Sequence, residues 1–414
     1  MANAEIHGIT RIRWLTYLMF LMFAMTSESV GVIIPSVIRE FGLGMTAGGS
    51  FHYATMSGIA LGGVFLGFLA DLLGRKRSII TGLAIFGASS FFFAWASSFG
   101  VFLMLLFVGG LAVGIFKTGA LALIGDITTS TKAHTSTMNM VEGFFGIGAI
   151  IGPAIVAYLL SHNASWKWLY VIAAVLCTLL IILAAKVPYP QSRASAEPSK
   201  VSDVLGMMGN RLAMAFSAGV MLYVGVETAI YVWMPTFLAG YSGPGSEWVV
   251  YTLSIFFVLR VIGRFAGFWL LERFDWTIVL AICGVSILVC FGLAALGREF
   301  AIWTLPVSGL AMSVIYPTLN SKGISCFPKA QHGAVSGVLL FFTCVSAVIA
   351  PLVMGIIGDY FGDAVYGFYL AAAFAGLLAM GLIANVLIDP TRAILQQRNN
   401  SDYEAPGGAQ ALSG

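Results

Sequence analysis

The sequence predicts an all-α membrane protein with twelve transmembrane helices, arranged as two pseudo-symmetric halves of six. Hydrophobic residues make up 59% of the 414 residues, charged residues make up only 9%, and the mean hydropathy is +0.93. A soluble domain carries roughly 25% charged residues, so a chain this apolar cannot cover a surface that faces water. Lipid must therefore be its solvent, and its length suits twelve helices of about 20 residues with short loops.

Twelve apolar segments follow one another between short polar loops. We number them spans 1 to 12 and predict them at residues 14–38, 50–71, 78–97, 101–125, 137–160, 166–187, 212–239, 247–271, 276–297, 300–326, 333–357 and 365–388. The first segment is too long for the hydrophobic region of a signal peptide and lacks a small-residue cleavage site. It is therefore predicted to be span 1.

One long polar segment interrupts the apolar pattern between spans 6 and 7. Residues 186–210 contain three prolines together with serines and charged residues, a composition typical of a linker. This segment divides the chain into an N-terminal six-helix half, 1–185, and a C-terminal half, 211–390, followed by a polar tail, 391–414, predicted to be flexible. A faint repeat supports the division, since Gly110-Leu-Ala in span 4 returns as Gly309-Leu-Ala in span 10.

The lysines and arginines of the loops predict the orientation. If the N-terminus is cytoplasmic, fourteen of them flank the spans on the cytoplasmic side, and only Arg39, Lys167 and Arg298 flank them on the other. Cytoplasmic loops carry an excess of these residues. The sequence therefore predicts a multi-pass protein of a bacterial cytoplasmic (inner) membrane with both termini in the cytoplasm.

A compact polar motif lies between spans 2 and 3. Gly67-Phe-Leu-Ala-Asp-Leu-Leu-Gly-Arg-Lys-Arg77 combines a carboxylate, a glycine turn and three cations where an apolar span meets water. A positively charged anchor would explain the cations, but not Asp71 or the glycine spacing. The motif resembles the signature loop of the major facilitator superfamily, and the likeness covers roughly residues 14–388. The resemblance implies a cytoplasmic gate containing Asp71 and Arg75, and a degraded echo after span 8 adds Arg264.

Charged side chains inside the spans are the next candidates for function. A charge at the bilayer centre costs about 2.5–3.5 kcal/mol on insertion scales, so each one suggests a functional role. Six such residues occur: Glu28 in span 1, Lys117 in span 4, Glu142 in span 5, Glu227 in span 7, Arg260 in span 8 and Lys322 in span 10. The resemblance implies that spans 1, 4, 7 and 10 line a central cavity.

Glu28 is predicted to bind the coupling proton, with Glu142 as a second proton-coupling residue. Removal from water favours the neutral form of a carboxyl group, so a carboxyl group in a cavity can exchange a proton. Lys117 opposite Glu28 would act as an anion ligand or a counter-ion. A fixed Glu28–Lys117 ion pair that only orients the helices is the alternative interpretation.

An aromatic face accompanies the acid of span 7. Tyr223, Glu227 and Tyr231 recur at the helical spacing of four residues, and Trp233 follows closely. Aromatic rings can stack on the C–H faces of a sugar while a carboxylate accepts its hydroxyl groups. These four residues are therefore predicted to bind substrate, although aromatic packing within the bundle would explain any single ring.

Span 10 carries a second polar group around a proline. Pro317 is predicted to break the helix, and Tyr316, Asn320 and Lys322 beside it are predicted substrate ligands. Lys322 could instead extend towards the cytoplasmic end of the span.

Three short stretches resemble the fucose:proton symporter family more narrowly. They are Tyr223-Val-Gly-Val-Glu, Tyr316-Pro-Thr and the start of span 5 from Met138. The resemblance implies proton-coupled transport of a sugar. The chain departs from the family because Lys117 lies near the position of a family carboxylate, and because Lys322 is an additional cation. Two cations at the cavity favour a carboxylated sugar or a small organic anion.

The sequence as a whole predicts a secondary active transporter that moves a small polar solute with a proton by alternating access. The solute would be a sugar, a sugar acid or another organic acid. A drug:proton antiporter is the alternative, because Gly148 to Pro153 resembles a segment of such antiporters, and a membrane sensor without transport is a third class. Neither an enzyme nor a cofactor other than the proton gradient is expected, since no nucleotide, metal or nucleophile motif is evident. The expected partners are the substrate and the lipid bilayer, with no nucleic acid and with the protein as a monomer.

Overall fold

The structure is a computed structural model that describes residues 2–66, 72–128, 131–190, 206–328 and 331–402, all of them in helices or short connections. The helices of the N-terminal half are Ala2–Ser27 and Val30–Phe41 (span 1), Met45–Gly48, Ser50–Phe65 (span 2), Arg75–Phe93 (span 3), Phe99–Ile127 (span 4), Thr131–Ser161 (span 5) and Trp168–Lys186 (span 6). Those of the C-terminal half are Arg211–Leu238 (span 7), Ser246–Arg273 (span 8), Trp276–Ala294 (span 9), Arg298–Ser325 (span 10), His332–Phe361 (span 11) and Val365–Ile388 (span 12). The predicted spans are confirmed in type and order.

Ten of these helical segments are individually long and apolar enough to cross a membrane, within the described ranges. Span 2 has 16 described residues and then meets the undescribed segment 67–71, while span 3 begins with three consecutive cations. The protein is thus a multi-pass membrane protein.

Spans 1 and 7 are both irregular near the middle of the membrane. Span 1 is interrupted at Glu28 and Ser29, where the Ser29 hydroxyl donates to the Met25 carbonyl oxygen at 2.6 Å and competes with the backbone ladder. Span 7 widens into a π-helical turn at Ala229–Trp233, just before Pro235 removes a backbone donor. The predicted break at Pro317 is wrong, since span 10 continues through that proline, as transmembrane helices often do.

The two halves repeat the same helix pairs six spans apart. Span 1 packs on span 5 as span 7 packs on span 11, span 2 on span 4 as span 8 on span 10, and span 3 on span 6 as span 9 on span 12. Gly110 and Gly309 serve the same purpose, because a side chain at either would press into the backbone of the neighbouring helix. Glu28 and Glu227 are separated by the same 199 residues as these two glycines, so they occupy matching positions in the repeat.

The halves meet at the end of the bundle opposite the chain termini. Pro351 in span 11 has no N–H, which leaves the Ala347 carbonyl without its usual helical donor. The His52 ring nitrogen Nε2 lies 3.0 Å from that carbonyl oxygen, and the Tyr53 hydroxyl donates to the Pro351 carbonyl oxygen at 3.0 Å. Span 2 is thereby tied to span 11, and we call this contact region the closed end.

A carboxylate reinforces the closed end. Asp359 of span 11 accepts hydrogen bonds from the backbone N–H groups of Met45 (2.5 Å) and Thr46 (2.8 Å), which open the short helix Met45–Gly48 of the other half. A negative charge at a helix start satisfies amides that have no helical partner.

The polar tail begins with a helix, which corrects the prediction of a flexible segment from residue 391. The helix Arg392–Asp402 packs Ile394 and Leu395 against the bundle, and Thr391 before it is buried. Two apolar residues on one face of the first turn suffice to dock this segment on the bundle. Residues 403–414 lie outside the described part.

Near this tail helix, Asp275 caps the start of span 9. Its carboxylate accepts hydrogen bonds from the Thr277 hydroxyl (2.7 Å) and backbone N–H (2.9 Å), and these bonds lower the pKa of Asp275. We expect Asp275→Ala to reduce the free energy of unfolding by about 0.5–2 kcal/mol in thermal denaturation of the detergent-solubilised protein. Because the folded pKa lies below the unfolded one, the carboxylate's stabilisation is present at neutral pH and is lost as the pH falls below about 4.

The matched control for this cap is Glu272→Gln, which removes a negative charge from the exposed last turn of span 8, three residues before Asp275. The control should leave the unfolding temperature unchanged. An equal loss of stability in both variants would show that the local negative charge, and not capping, accounts for the effect.

Candidate functional site

The centre of the candidate site is an ion pair between spans 7 and 8. Glu227 is buried and accepts a charge-assisted hydrogen bond from Arg260 Nη2 on its Oε1 atom. The Tyr223 hydroxyl lies 3.0 Å from the same oxygen and 2.9 Å from the Met312 carbonyl oxygen of span 10. Spans 7, 8 and 10 therefore converge on one carboxylate group.

Glu28 from the other half faces this ion pair. Its carboxylate accepts a hydrogen bond from the neighbouring Ser27 hydroxyl at 3.1 Å, and the charges of Arg260, Lys117 and Glu227 all act on it. The break in span 1 places this carboxyl group where the helix has left its regular path. The acids of the two repeats thus both lie within electrostatic range of Arg260.

Lys117 holds its ammonium group beside span 5. Its Nζ lies 5.4 Å from the centre of the Phe145 ring, within the range of a cation–π contact. No carboxylate of the described residues lies within 4 Å of it. The fixed Glu28–Lys117 ion pair that was the alternative interpretation is therefore absent from the described chain.

Three tyrosines lie near the charged groups, and all three are among the predicted substrate ligands. The Tyr316 ring packs 6.1 Å from that of Tyr223, and its hydroxyl lies 3.5 Å from the Thr343 hydroxyl. Tyr231 lies within electrostatic range of Glu28 and Glu227. Asn320 is half-buried one helical turn after Tyr316.

Two predicted substrate ligands lie elsewhere. Trp233 is buried at the closed end, where its indole N–H donates to the Pro351 carbonyl oxygen at 2.9 Å. Lys322 extends to the start of span 9, with Nζ 5.9 Å from the Trp276 ring and its charge acting on Asp275. Trp233 lies at the closed end beyond the π turn of span 7, and the long stem of Lys322 reaches the end of its span.

A second ion pair links the two halves through spans 5 and 8. Glu142 and Arg264 approach to 3.5 Å, and both side chains remain about half exposed. Arg264 lies one turn beyond Arg260, on the side of the chain termini. The structure thus pairs a predicted proton-coupling residue with a predicted gating residue.

Arg75 is buried and lies 3.0 Å from Asp126, at the end of span 4. This contact stays within the N-terminal half. Asp71, predicted as its gating companion, lies outside the described residues.

Sequence reasoning noticed Arg260 as a charge within a span but gave it no role, and it missed Asp126 and His52. The only signal for Arg260 was its separation of 33 residues from Glu227, which says nothing about contact. His52 lies at the start of a span, a position that reads as interfacial until the opposing carbonyl is known.

Comparison with known proteins agrees with the fold. The model of the Major Facilitator Superfamily matches residues 16–351. The chain is 24% identical over 387 residues to the L-fucose-proton symporter of Escherichia coli (strain K12), covering 83% of this chain and 86% of that protein. It is 22% identical to the cis,cis-muconate transport protein of Acinetobacter baylyi (strain ATCC 33305 / BD413 / ADP1), covering 78% and 81%.

A solved structure of the nucleoside transporter NupG superposes with a TM-score of 0.74 at 16% identity, covering 91% of this chain and 98% of that one. This likeness extends the fold to all twelve spans, including spans 2 and 3, which are not among the ten apolar segments above. The chain therefore belongs to the Major Facilitator Superfamily, a family of membrane transporters and not of enzymes.

Proposed function

We propose that the protein is a proton-coupled symporter of a small organic anion, a sugar acid or another carboxylic acid. The observation that carries this proposal is the Lys117 ammonium group. It lies within electrostatic range of Glu28, and no carboxylate of the described residues lies within 4 Å of it. A cation in a low-dielectric cavity is costly until an anion neutralises it. The substrate's carboxylate can supply that charge through charge-assisted hydrogen bonds.

Glu28 supplies the proton site of this proposal. It is hydrogen-bonded only to Ser27 among the described residues, so protonation of its carboxyl group breaks no ion pair. Entry of one anion and one proton leaves the net charge of the cavity unchanged. This balance favours joint movement of the two species.

The relatives support both branches of the substrate class. One is a fucose–proton symporter and another transports cis,cis-muconate, a dicarboxylate. The two cations beside the cavity, Lys117 and Arg260, favour the carboxylate branch. The Gly148–Pro153 segment that suggested drug antiport packs against span 1, since side chains at Gly148 or Gly152 would overlap the Leu21 and Met25 carbonyls. Close helix packing accounts for this segment without antiport.

Alternating access follows from the closed end. With both termini in the cytoplasm, as the loop cations favour, the closed end faces outward and the cavity faces the cytoplasm. The Glu142–Arg264 ion pair then lies on the cytoplasmic side, where it would break and re-form as a gate. We propose an inner-membrane monomer that works without a cofactor.

The proposal is tested with purified protein in liposomes. A panel of L-fucose, D-galactose, D-galacturonate, cis,cis-muconate and gentisate is screened for ligand-induced thermal stabilisation and for proton uptake with an internal pH dye. We expect at least one carboxylate of the panel to enter with a proton. Uptake restricted to the neutral sugars, or carboxylate uptake without proton movement, would overturn the proposal.

Glu28→Gln isolates the proton site. The variant should lose accumulation of the carboxylate against its gradient, because the neutral amide cannot carry a proton, while exchange of labelled for unlabelled carboxylate persists. The control is Glu299→Gln, which should accumulate the carboxylate normally. It removes a carboxylate from the first turn of span 10, at the end of the bundle away from the chain termini. Full accumulation by Glu28→Gln would remove Glu28 from the coupling step.

A further inference from the structure

One of two adjacent N–H donors on the Arg260 guanidinium group has no hydrogen-bond partner among the described residues. A guanidinium group offers Nε and Nη2 side by side, and a carboxylate typically takes both in a bidentate pair. Glu227 contacts Nη2, whereas the buried Nε has no hydrogen-bond partner among the described residues. A buried donor without a partner is uncommon and calls for an explanation.

The other contacts of Glu227 explain the one-sided contact. The Tyr223 hydroxyl lies between the Glu227 Oε1 atom and the Met312 carbonyl oxygen and shares its single proton between these two acceptors. That contact holds the carboxylate on one corner of the guanidinium group. A free carboxylate has no such tether and can align both oxygens with Nε and Nη2.

We propose that the Nε–Nη2 edge of Arg260 binds the carboxylate of the transported anion, and that Glu227 occupies this edge as an internal substitute until the anion arrives. This inference rests on the proposed function. It assigns the substrate's acidic group to the Arg260 guanidinium group of one half, and the Lys117 ammonium group of the other half donates a further charge-assisted hydrogen bond to the same carboxylate.

Displacement has a consequence for protons. When the substrate's carboxylate takes the edge, Glu227 loses its cation and accepts a proton from cavity water on its free oxygen, while the Tyr223 hydroxyl still donates to the other. The guanidinium group keeps its charge, and no covalent bond changes other than O–H. Anion binding is thereby linked to protonation of Glu227, separately from the proton on Glu28.

Other charged groups face this site from the surrounding helices. Glu28 and Lys117 act across the cavity from spans 1 and 4, Arg264 lies one turn along span 8, and Glu142 lies beside Tyr316. Glu28 is thus the competing source of any pH dependence of binding, and it must be tested in parallel.

The test measures binding of D-galacturonate and gentisate to the purified full-length protein across a pH series, with D-galactose as the neutral counterpart of galacturonate. In the unmodified protein, affinity for the carboxylates should rise as the pH falls. Glu227→Gln should bind them about tenfold more tightly near neutral pH and lose that pH dependence, because the competitor for Arg260 is gone. Arg260→Gln should lose carboxylate binding, whereas Arg260→Lys should recover it only in part.

Comparison with Glu28→Gln separates the two ideas. That variant should keep the pH dependence of binding seen in the unmodified protein. If Glu28→Gln flattens the pH dependence and Glu227→Gln does not, or if Glu227→Gln weakens binding in a protein whose thermal unfolding is unchanged, the substitution idea is wrong while the symport proposal stands. If neither carboxylate binds any form of the protein and only D-galactose does, the proposed function itself fails.

Discussion

Replacing Lys117 by glutamine should weaken binding of a transported carboxylate by about ten- to hundredfold. The change removes a charge-assisted hydrogen bond worth about 1.5–3 kcal/mol, and Arg260 does not replace it because its own bonds to the carboxylate are already made. The Lys117 ammonium group lies over the Phe145 ring and forms no ion pair among the described residues, so glutamine breaks no internal ion pair. Binding is measured by calorimetry with D-galacturonate and with its neutral counterpart, D-galactose.

Lys322→Gln is the matched control for this experiment. It makes the same chemical change in another membrane-spanning helix, but its ammonium group lies beside Trp276, away from the central cluster. The control should bind galacturonate as the unmodified protein does. Equal losses in the two variants would mean that overall charge attracts the anion, and equal losses for galacturonate and galactose would mean that Lys117 only shapes the cavity.

Replacing Gly31 by valine should abolish or strongly slow transport while the fold is kept. Gly31 of span 1 lies against the Tyr231 backbone carbonyl of span 7, and any Cβ atom at this position would overlap that oxygen. The closed end would then be strained by overpacking, which typically costs 1–3 kcal/mol. A cost of that size shifts the balance between the two access states by about five- to 150-fold towards the open form.

The shift can be measured directly because Cys344 reports on the cavity. It lies on span 11 within electrostatic range of Lys117. In a variant that retains Cys344 as its sole cysteine, Gly31→Val should increase labelling by a membrane-impermeant thiol reagent added at the outer face. Gly292→Val in span 9 is the control, since a Cβ there meets no atom within 4 Å. Normal transport and unchanged labelling in Gly31→Val would show that the contact is not needed for closure.

The fold was predictable because span length and hydropathy are local properties. Each apolar stretch must satisfy its own backbone hydrogen bonds in lipid, so its extent is written in its own residues. The repeat was equally visible, as Gly110 and Gly309 show. What local patterns could not predict is the partner of each charge: Arg260 could have paired with Glu28, Glu142 or Glu227, and the choice depends on how spans 7 and 8 pack.

Irregular turns account for the misplaced residues. A π turn inserts one residue and rotates the following part of the helix by roughly 100°, so a regular helical wheel does not give the direction of Trp233. Proline, in contrast, disturbs these helices less than predicted. Pro317 was predicted to break span 10 and does not, whereas Pro351 keeps span 11 helical and frees the carbonyl that His52 meets.

The hydrogen bonds from His52 and Tyr53 to span 11 end on uncharged peptide oxygens, and this determines how the contact responds to dissolved salt. Dissolved electrolytes weaken attraction between opposite ions but have little effect on a dipole sheltered from water. These two hydrogen bonds should therefore be equally strong at low and at high salt concentration.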